Sequence, residues 1–121
     1  MLHTAPGAAG SRIRVNESYG NFIGGKWTPP LDGKYFDNIS PVTGEVICQI
    51  ARSNERDINL ALDAAHEAAP AWGATSVTQR ANILLKIADR MEENLEDLAI
   101  IECWENGKPI RETLAADLPL A

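Results

Sequence analysis

The 121-residue sequence predicts an α+β segment in which two N-terminal β-hairpins precede three helices and the start of a fourth. Three observations predict this order. A Gly-Gly pair separates two short apolar stretches, a Pro-Val-Thr-Gly turn separates two longer extended stretches, and the apolar period becomes helical after Ala51. Because two hairpins do not form a stable sheet alone, we expect the segment to be the edge of a larger fold.

The two hairpins are predicted by NFIGGKWT and by YFDNISPVTGEVICQIA. Gly24 and Gly25 suit a two-residue turn, because such turns need the positive φ that glycine tolerates. In the second hairpin, Val46, Cys48 and Ile50 alternate with side chains that are only slightly more polar. That weak alternation predicts a strand covered on both faces.

The first two helices are predicted by capping boxes that are followed by helical apolar spacing. Asn54 with Asp57 begins the first helix, and we expect Pro70 and Gly73 to end it. A second box, Ser-x-x-Gln, begins the next helix at residue 76. The inward stripe of that helix is expected to comprise Ile83, Leu84, Ile87, Ala88 and Met91.

A third helix and the start of a fourth complete the predicted order. Asn94 is expected to cap the third helix with Asp97 at N3, and Gly107 to end it. The fourth begins over residues 111–117, and we expect Pro119 to interrupt it. An unfinished helix leaves carbonyls unpaired and an apolar face uncovered. We therefore expect this chain to be an N-terminal fragment of a longer protein. Residues 1–18 lack periodicity and are expected to form a mobile arm.

Composition excludes some classes of partner. The net charge is −6, which argues against nucleic acid because phosphate contacts need clustered Lys and Arg. No apolar stretch approaches the roughly 20 residues that span a bilayer, so no membrane partner is expected. The two cysteines, in a chain without an apparent secretory signal, favour reduced thiols and a cytoplasmic protein.

Residue types and spacing by themselves predict no active site. Cys48 lies mid-strand and Cys103 late in a helix, settings that disfavour a thiolate, so both are interpreted as structural cysteines. His66 is expected on a solvated helix face, and His3 lies in the arm. Gly24, Gly25 and Lys26 lack the frame of a phosphate-binding loop. We therefore assign no catalytic and no cofactor-binding residue to this chain.

Three stretches of the sequence, taken together, resemble those of a known protein family. SPVTGEVI, QRANILLKIADRMEEN and Glu102 followed by NGKP occur in the order and spacing of the NAD(P)-dependent aldehyde dehydrogenase superfamily. The sequence resembles the N-terminal part of that family over residues 19–121. Within the family it looks most like bacterial enzymes that act on acetaldehyde or other short aliphatic aldehydes.

The resemblance implies an α/β parent several times longer than this chain. That parent would bind NAD or NADP, assemble as a dimer or tetramer, and oxidise an aldehyde to a carboxylic acid through a cysteine thiohemiacetal. Its catalytic cysteine, glutamate base, oxyanion-hole asparagine and cofactor loop would all follow Ala121. The present segment is then expected to be inactive alone, with the remainder of the parent chain as its partner.

The resemblance also implies one site whose ligands lie partly in this segment. Many members bind a monovalent cation through backbone carbonyls before the SPxTGE turn and an acidic residue after NGKP. The matching positions are Asn38, Ile39 and Asp117, and oxygen ligands of this kind suit a hard cation. The simpler interpretation is that Asp117 is an acid in the first turns of a helix, where the dipole favours it.

Two other classes of function stay open. The chain could be a non-catalytic helical interaction module, whose apolar helix faces dock on a partner. It could also be a short chain that modulates the oligomers of a related enzyme. Cooperative unfolding of the isolated chain would favour the module, and co-purification of unequal chains would favour the modulator.

Overall fold

The computed structural model describes residues 4–121, and its elements follow the predicted α+β order. The strands are β1 Ser18–Tyr19, β2 Asn21–Ile23, β3 Lys26–Thr28, β4 Tyr35–Ile39 and β5 Val46–Ala51. The helices are α1 Glu55–Gly73, α2 Val77–Glu93, α3 Leu95–Asn106, α4 Ile110–Glu112, a π-helical turn Thr113–Asp117 and α5 Leu118–Leu120. Among these described residues, no helix is both long and apolar enough to cross a membrane.

Both predicted hairpins are confirmed. Strands β2 and β3 pair antiparallel across Gly24 and Gly25, whose φ angles are 57° and 77°. Strands β4 and β5 pair antiparallel across the Pro-Val-Thr-Gly turn. Strand β1 adds in parallel to the other side of β5, which gives the order β1-β5-β4. Strand β5 is therefore central in the sheet. The expected cover on both of its faces is not found among the described residues, where Cys48 is buried but Val46 is 52% exposed.

The segment expected to be a mobile arm contacts the rest of the chain in its described part, residues 4–18. Ile13 is buried, and the Glu17 carbonyl accepts a hydrogen bond of 3.0 Å from the Gln49 N–H. Arg12 lies 2.5 Å from Glu96 and 2.6 Å from Asp97, in the first turn of α3. Single anchoring residues of this kind leave no periodic pattern, so the sequence did not indicate them.

Helix α1 begins at the predicted capping box and ends at Gly73, as expected, but not at Pro70. The Asn54 side chain accepts hydrogen bonds from the Arg56 and Asp57 N–H groups, and the Asp57 carboxylate accepts one from the Asn54 N–H, which completes the capping box. Pro70 lies inside the helix and does not end it, so that expectation was wrong. Only one turn follows Pro70, and the loss of a single backbone hydrogen bond is tolerated there.

Asp57 also joins α1 to the loop that follows the first hairpin. Its Oδ1 accepts a hydrogen bond of 2.9 Å from the Leu31 N–H, while Oδ2 accepts one of 2.9 Å from the Asn54 N–H. These two hydrogen bonds hold the pKa of Asp57 below the ordinary aspartate value, and the bond from the Asn54 N–H has the larger effect. Because the folded-state pKa is the lower one, the carboxylate stabilises the fold above the unfolded-state pKa. This contribution is lost as the pH falls through the folded-state pKa.

In the natural-length protein, Asp57→Asn is expected to make the Leu31 amide proton exchange with solvent about five- to tenfold faster at neutral pH, because its acceptor is no longer charged. The wild-type protein should lose this protection only at a pH below the ordinary aspartate pKa. Amide hydrogen exchange measures both effects. Asp63→Asn, on an exposed part of the same helix, is the matched control. Unchanged protection of the Leu31 amide in Asp57→Asn would contradict this role.

The residues predicted to begin and end α2 and α3 are confirmed, except for the cap at Asn94. The Ser76–Gln79 capping box forms as predicted, and Gly107 ends α3 with a φ of 80°. The predicted cap at Asn94 was wrong. Its Nδ2 donates to the Arg90 carbonyl at 2.7 Å, because α2 and α3 are separated by this one residue and its backbone is not extended.

Beyond α3 the chain stays helical to Leu120, so the expected interruption at Pro119 was also wrong. Pro119 lies in the first turn of α5, where a missing N–H removes no helical hydrogen bond. The π-helical turn before it begins at Thr113, which is fully buried. The Thr113 hydroxyl lies 3.2 Å from the Ala99 carbonyl and 3.1 Å from the Ile110 carbonyl, which fixes this turn against α3.

The described residues leave much apolar surface uncovered. Their buried hydrophobic side chains are Ile13, Cys48, Ala99 and Ile100. The expected inward stripe of α2 is not buried here, since Ile83 is 43% exposed and Leu84 67% exposed. The accessible surface of the chain is 8896 Å², whereas about 6,400 Å² is usual for a folded monomer of 13.1 kDa. The expected inward stripe is therefore not a buried face of α2 among the described residues, because nothing within residues 4–121 covers it.

Candidate functional site

The turn after β4 packs against the C-terminal end of α3, and this junction lies close to two of the predicted cation ligands, Asn38 and Ile39. Ser40 is 1% exposed, and its hydroxyl donates to the Trp104 carbonyl at 2.6 Å. The same oxygen accepts a hydrogen bond of 3.2 Å from the Val42 N–H. A carbonyl in the last turn of a helix lacks an intrahelical partner, so Ser40 satisfies the end of α3 from a distant turn.

The close approach of the turn explains the glycine at the end of α3. A side-chain Cβ at Gly107 would lie 3.4 Å from Pro41 Cγ, and the φ of 80° disfavours any L side chain. Gly107 thus ends the helix and also allows the two segments to pack together.

Asn38 and Ile39 lie at the end of β4, beside this junction. The Asn38 Nδ2 donates to Glu105 Oε1 at 3.0 Å, and it lies 3.7 Å from Cys48 Sγ. The register between β4 and β5 shifts by one residue between Asn38 and Ile39. Such a shift disrupts the ladder of hydrogen bonds locally, at the two residues whose carbonyls are the predicted ligands.

Asp117 is bonded to the loop that follows α3. Lys108, the residue after Gly107, lies with its Nζ 2.5 Å from Asp117 Oδ2. This hydrogen bond is the main cause that raises the pKa of Lys108 above its ordinary value. The structure thus brings Asn38 to α3 through Glu105 and Asp117 to the adjoining loop through Lys108. The cation site itself stays a prediction.

The donor atoms of this junction fit a monovalent cation only in part. Backbone carbonyls and a carboxylate are suitable ligands for a hard cation. However, the Asp117 carboxylate is already bonded to an ammonium group. Within residues 4–121, no group of three or more His, Cys, Asp or Glu side chains could hold a metal ion. Any cation site here therefore depends on carbonyl oxygens and on access to Asp117.

The other candidate residues lie apart from this junction or have structural contacts. Cys48 is buried in β5, as expected, and Cys103 is half-buried with its Sγ 3.3 Å from Thr113 Oγ1. His66 is exposed, as expected, and His3 lies outside the described residues. The sequence interpretation missed the role of Ser40 and the bond between Lys108 and Asp117. The partners of Ser40 and Lys108 lie 64 and 9 residues away, so no local pattern indicated them.

Ser40→Ala is expected to lower the free energy of unfolding of the protein at its natural length by about 1–3 kcal/mol, because a buried carbonyl of α3 loses its donor. Denaturant unfolding measures the change. Thr43→Ala, in the exposed part of the same turn, is the control and should change it by less than about 0.5 kcal/mol. Equal effects of the two variants would show that the Ser40–Trp104 bond does not stabilise the junction.

Comparison with known proteins identifies the family. The sequence profile of the aldehyde dehydrogenase family matches residues 27–121, which include the whole junction. The chain belongs to the aldehyde dehydrogenase family. Its structure also resembles the crystal structure of PnpE in complex with nicotinamide adenine dinucleotide, with a TM-score of 0.81 and 39% identity. That likeness covers 84% of this chain and 21% of the other.

Curated relatives are similar over almost the entire chain. An aldehyde dehydrogenase of Deinococcus radiodurans is 68% identical over 116 residues, which are 96% of this chain and 22% of that protein. An acetaldehyde dehydrogenase of Pseudomonas aeruginosa is 58% identical over 121 residues, covering 100% and 24%. A long-chain-aldehyde dehydrogenase of an Acinetobacter species is 59% identical over 121 residues, covering 100% and 24%. The chain thus spans less than a quarter of the length of these relatives.

Proposed function

We propose that these residues are the N-terminal part of an NAD(P)-dependent aldehyde dehydrogenase that oxidises an aldehyde to a carboxylic acid. The observation that carries this proposal is the family match over residues 27–121, together with relatives about four times as long. The catalytic residues of the complete enzyme lie beyond Ala121. The segment contributes to folding and assembly and performs no chemical step alone.

NAD or NADP is the proposed cofactor of the complete enzyme, where it would accept the hydride of the aldehyde. The PnpE structure with bound nicotinamide adenine dinucleotide supports this choice. The residues of the present segment do not fit the cofactor themselves, because they contain no dinucleotide-binding fingerprint. The substrate class that we propose is a short aliphatic aldehyde such as acetaldehyde, which the Pseudomonas relative is named for.

The remainder of the parent chain is the proposed partner of the uncovered helix faces. The accessible surface exceeds that of a usual monomer of this mass by about 2,500 Å². An excess of that size is comparable to one side of a large obligate interface. The length of the relatives supplies a polypeptide to cover it. We further propose a dimer or tetramer in the cytoplasm, where Cys48 and Cys103 would stay reduced.

A monovalent cation remains part of the proposal for the complete enzyme. Its ligands would be the carbonyls of Asn38 and Ile39 and the carboxylate of Asp117. The local disruption of the β4–β5 ladder, the bond of Asn38 to Glu105 in α3 and the bond of Asp117 to Lys108 just after α3 support this arrangement.

The complete protein, purified at its natural length, tests this function. With acetaldehyde and either NAD or NADP it is expected to form the reduced cofactor and acetate, while the 121-residue chain should form neither. Longer aliphatic aldehydes, assayed in parallel, define the preferred chain length. A natural-length protein that oxidises no aldehyde with either cofactor would overturn the proposal. If the natural protein has a mass near 13.1 kDa, the interaction module or the oligomer modulator becomes the better interpretation.

A further inference from the structure

Strand β4 is the open edge of the three-stranded sheet. Among residues 4–121, β5 pairs with one side of β4, and no strand pairs with the other side. The opposite edge of the sheet is β1, which comprises only two residues. A two-residue strand offers little to a further strand, whereas the five residues of β4 offer a longer template. Any extension of this sheet is therefore expected at β4.

The hydrogen bonds on either side of β4 show which backbone groups face the open edge. The Lys34 carbonyl accepts a hydrogen bond of 2.8 Å from the Arg52 N–H. The Ser40 N–H donates at 2.9 Å to the carbonyl of the residue that precedes β5. Even-numbered residues of this segment thus face β5, and the facing direction alternates along an antiparallel strand. The N–H and C=O groups of Tyr35 and Asp37 therefore point away from β5, towards the open edge.

The side chains of β4 do little to protect this edge. Soluble proteins usually blunt an edge strand with proline, lysine, an outward charge or a bulge. The strand contains neither proline nor lysine, and its one charged residue, Asp37, is held by a hydrogen bond of 3.0 Å from Gln49 Nε2 on β5. The register shift after Asn38 affects only the far end of the strand. Phe36 and Ile39 are exposed, so apolar side chains flank the open backbone groups.

We propose that the open edge of β4 pairs with a strand from the part of the natural-length chain that follows Ala121. The inference rests on the proposed function in one respect, since that function supplies a chain about four times as long. Main-chain hydrogen bonds to Tyr35 and Asp37 would join the two strands. The added strand would also cover the apolar side chains of Phe36 and Ile39. The sheet then continues into the rest of the protein instead of ending at β4.

A second copy of the chain suits this edge less well. The longest antiparallel pairing of β4 with itself is centred on Asp37, because that residue is the middle one of five. Such a pairing sets two Asp37 carboxylates directly opposite each other, and like charges in that position destabilise a strand pair. A strand from elsewhere in the same chain is free of this repulsion.

Amide hydrogen exchange in the wild-type protein at its natural length tests the pairing at single residues. The Phe36 and Asn38 amides face β5 and are the internal control. After correction for intrinsic rates, the Tyr35 and Asp37 amides are expected to exchange within about tenfold of those two. If the edge stays in water, they should exchange at least about a hundredfold faster than the control amides, and the inference would be overturned.

Proline substitution gives a second readout of the same edge. Asp37→Pro removes the outward N–H, and Asp37→Ala is the matched control because it also removes the carboxylate. In the natural-length protein, Asp37→Pro is expected to melt about 2–4 °C below Asp37→Ala. An edge strand in water tolerates proline, so equal melting temperatures would contradict the pairing. If Asp37→Pro does not fold, the exchange rates of the wild-type protein decide.

A photoreactive side chain identifies the occupant of the edge. The natural-length protein with p-benzoylphenylalanine in place of Tyr35 is irradiated, and the linked peptides are mapped by mass spectrometry. A link within one chain to a segment beyond residue 121 is expected. A link between two chains, or a link to residues 1–121 alone, would overturn the inference. Aldehyde oxidation is assayed separately: an inactive protein with protected edge amides contradicts only the proposed function, and an active one with rapid exchange contradicts only this inference.

Discussion

The 121-residue chain, expressed alone, is expected to bind a hydrophobic dye strongly and to unfold without a cooperative transition. Its described residues bury few apolar side chains completely, and α2 buries none. The accessible surface exceeds the usual value by about 2,500 Å², and large apolar side chains are exposed on α1, α2 and both hairpins. Exposed apolar surface of this extent binds hydrophobic dyes and promotes association. Helical content without fixed packing is the expected state.

Far-ultraviolet and near-ultraviolet circular dichroism with thermal unfolding measure this state, and the natural-length protein is the control. We expect the isolated chain to retain helical signal, to lack a near-ultraviolet signal from its three tryptophans, and to melt gradually. The natural-length protein should melt in a sharp transition. A sharp transition without dye binding in the isolated chain would favour an autonomous interaction module.

The features that the sequence predicted correctly depend on residues close together in the chain. The capping boxes at Asn54 and Ser76 each join residues three positions apart, and the turn at Gly24-Gly25 depends on two adjacent glycines. The end of α3 at Gly107 likewise follows from one residue that adopts a positive φ. Local hydrogen bonds and local backbone freedom are sufficient to specify each of these features.

The features that the sequence did not predict depend on distant contacts or on context. Ser40 meets Trp104 across 64 residues, and Arg12 meets Glu96 across 84. At Pro70 and Pro119 the usual interpretation of proline failed. The helix tolerates the loss of one hydrogen bond at Pro70, close to its C-terminal end, and Pro119 lies at the start of α5. For the candidate cation site, the positions came from family resemblance, while the Lys108 contact appeared only in three dimensions.

In the natural-length protein, Leu84→Asp is expected to lower the free energy of unfolding by roughly 3–5 kcal/mol, although Leu84 is 67% exposed in the present chain. Leu84 lies on the apolar stripe of α2, which is proposed to be covered by the remainder of the protein. A carboxylate placed there would be buried without a partner. Denaturant unfolding at the natural length measures the change.

The matched control is Asn82→Asp, which introduces the same charge into the same helix about half a turn away, on the polar face. We expect it to change the free energy of unfolding by less than about 0.5 kcal/mol. In the isolated 121-residue chain, both variants should give nearly the same circular dichroism, because neither side chain is buried there. A natural-length Leu84→Asp protein as stable as the Asn82→Asp control would show that this face of α2 stays in water, and the proposed covering of the segment would then be wrong.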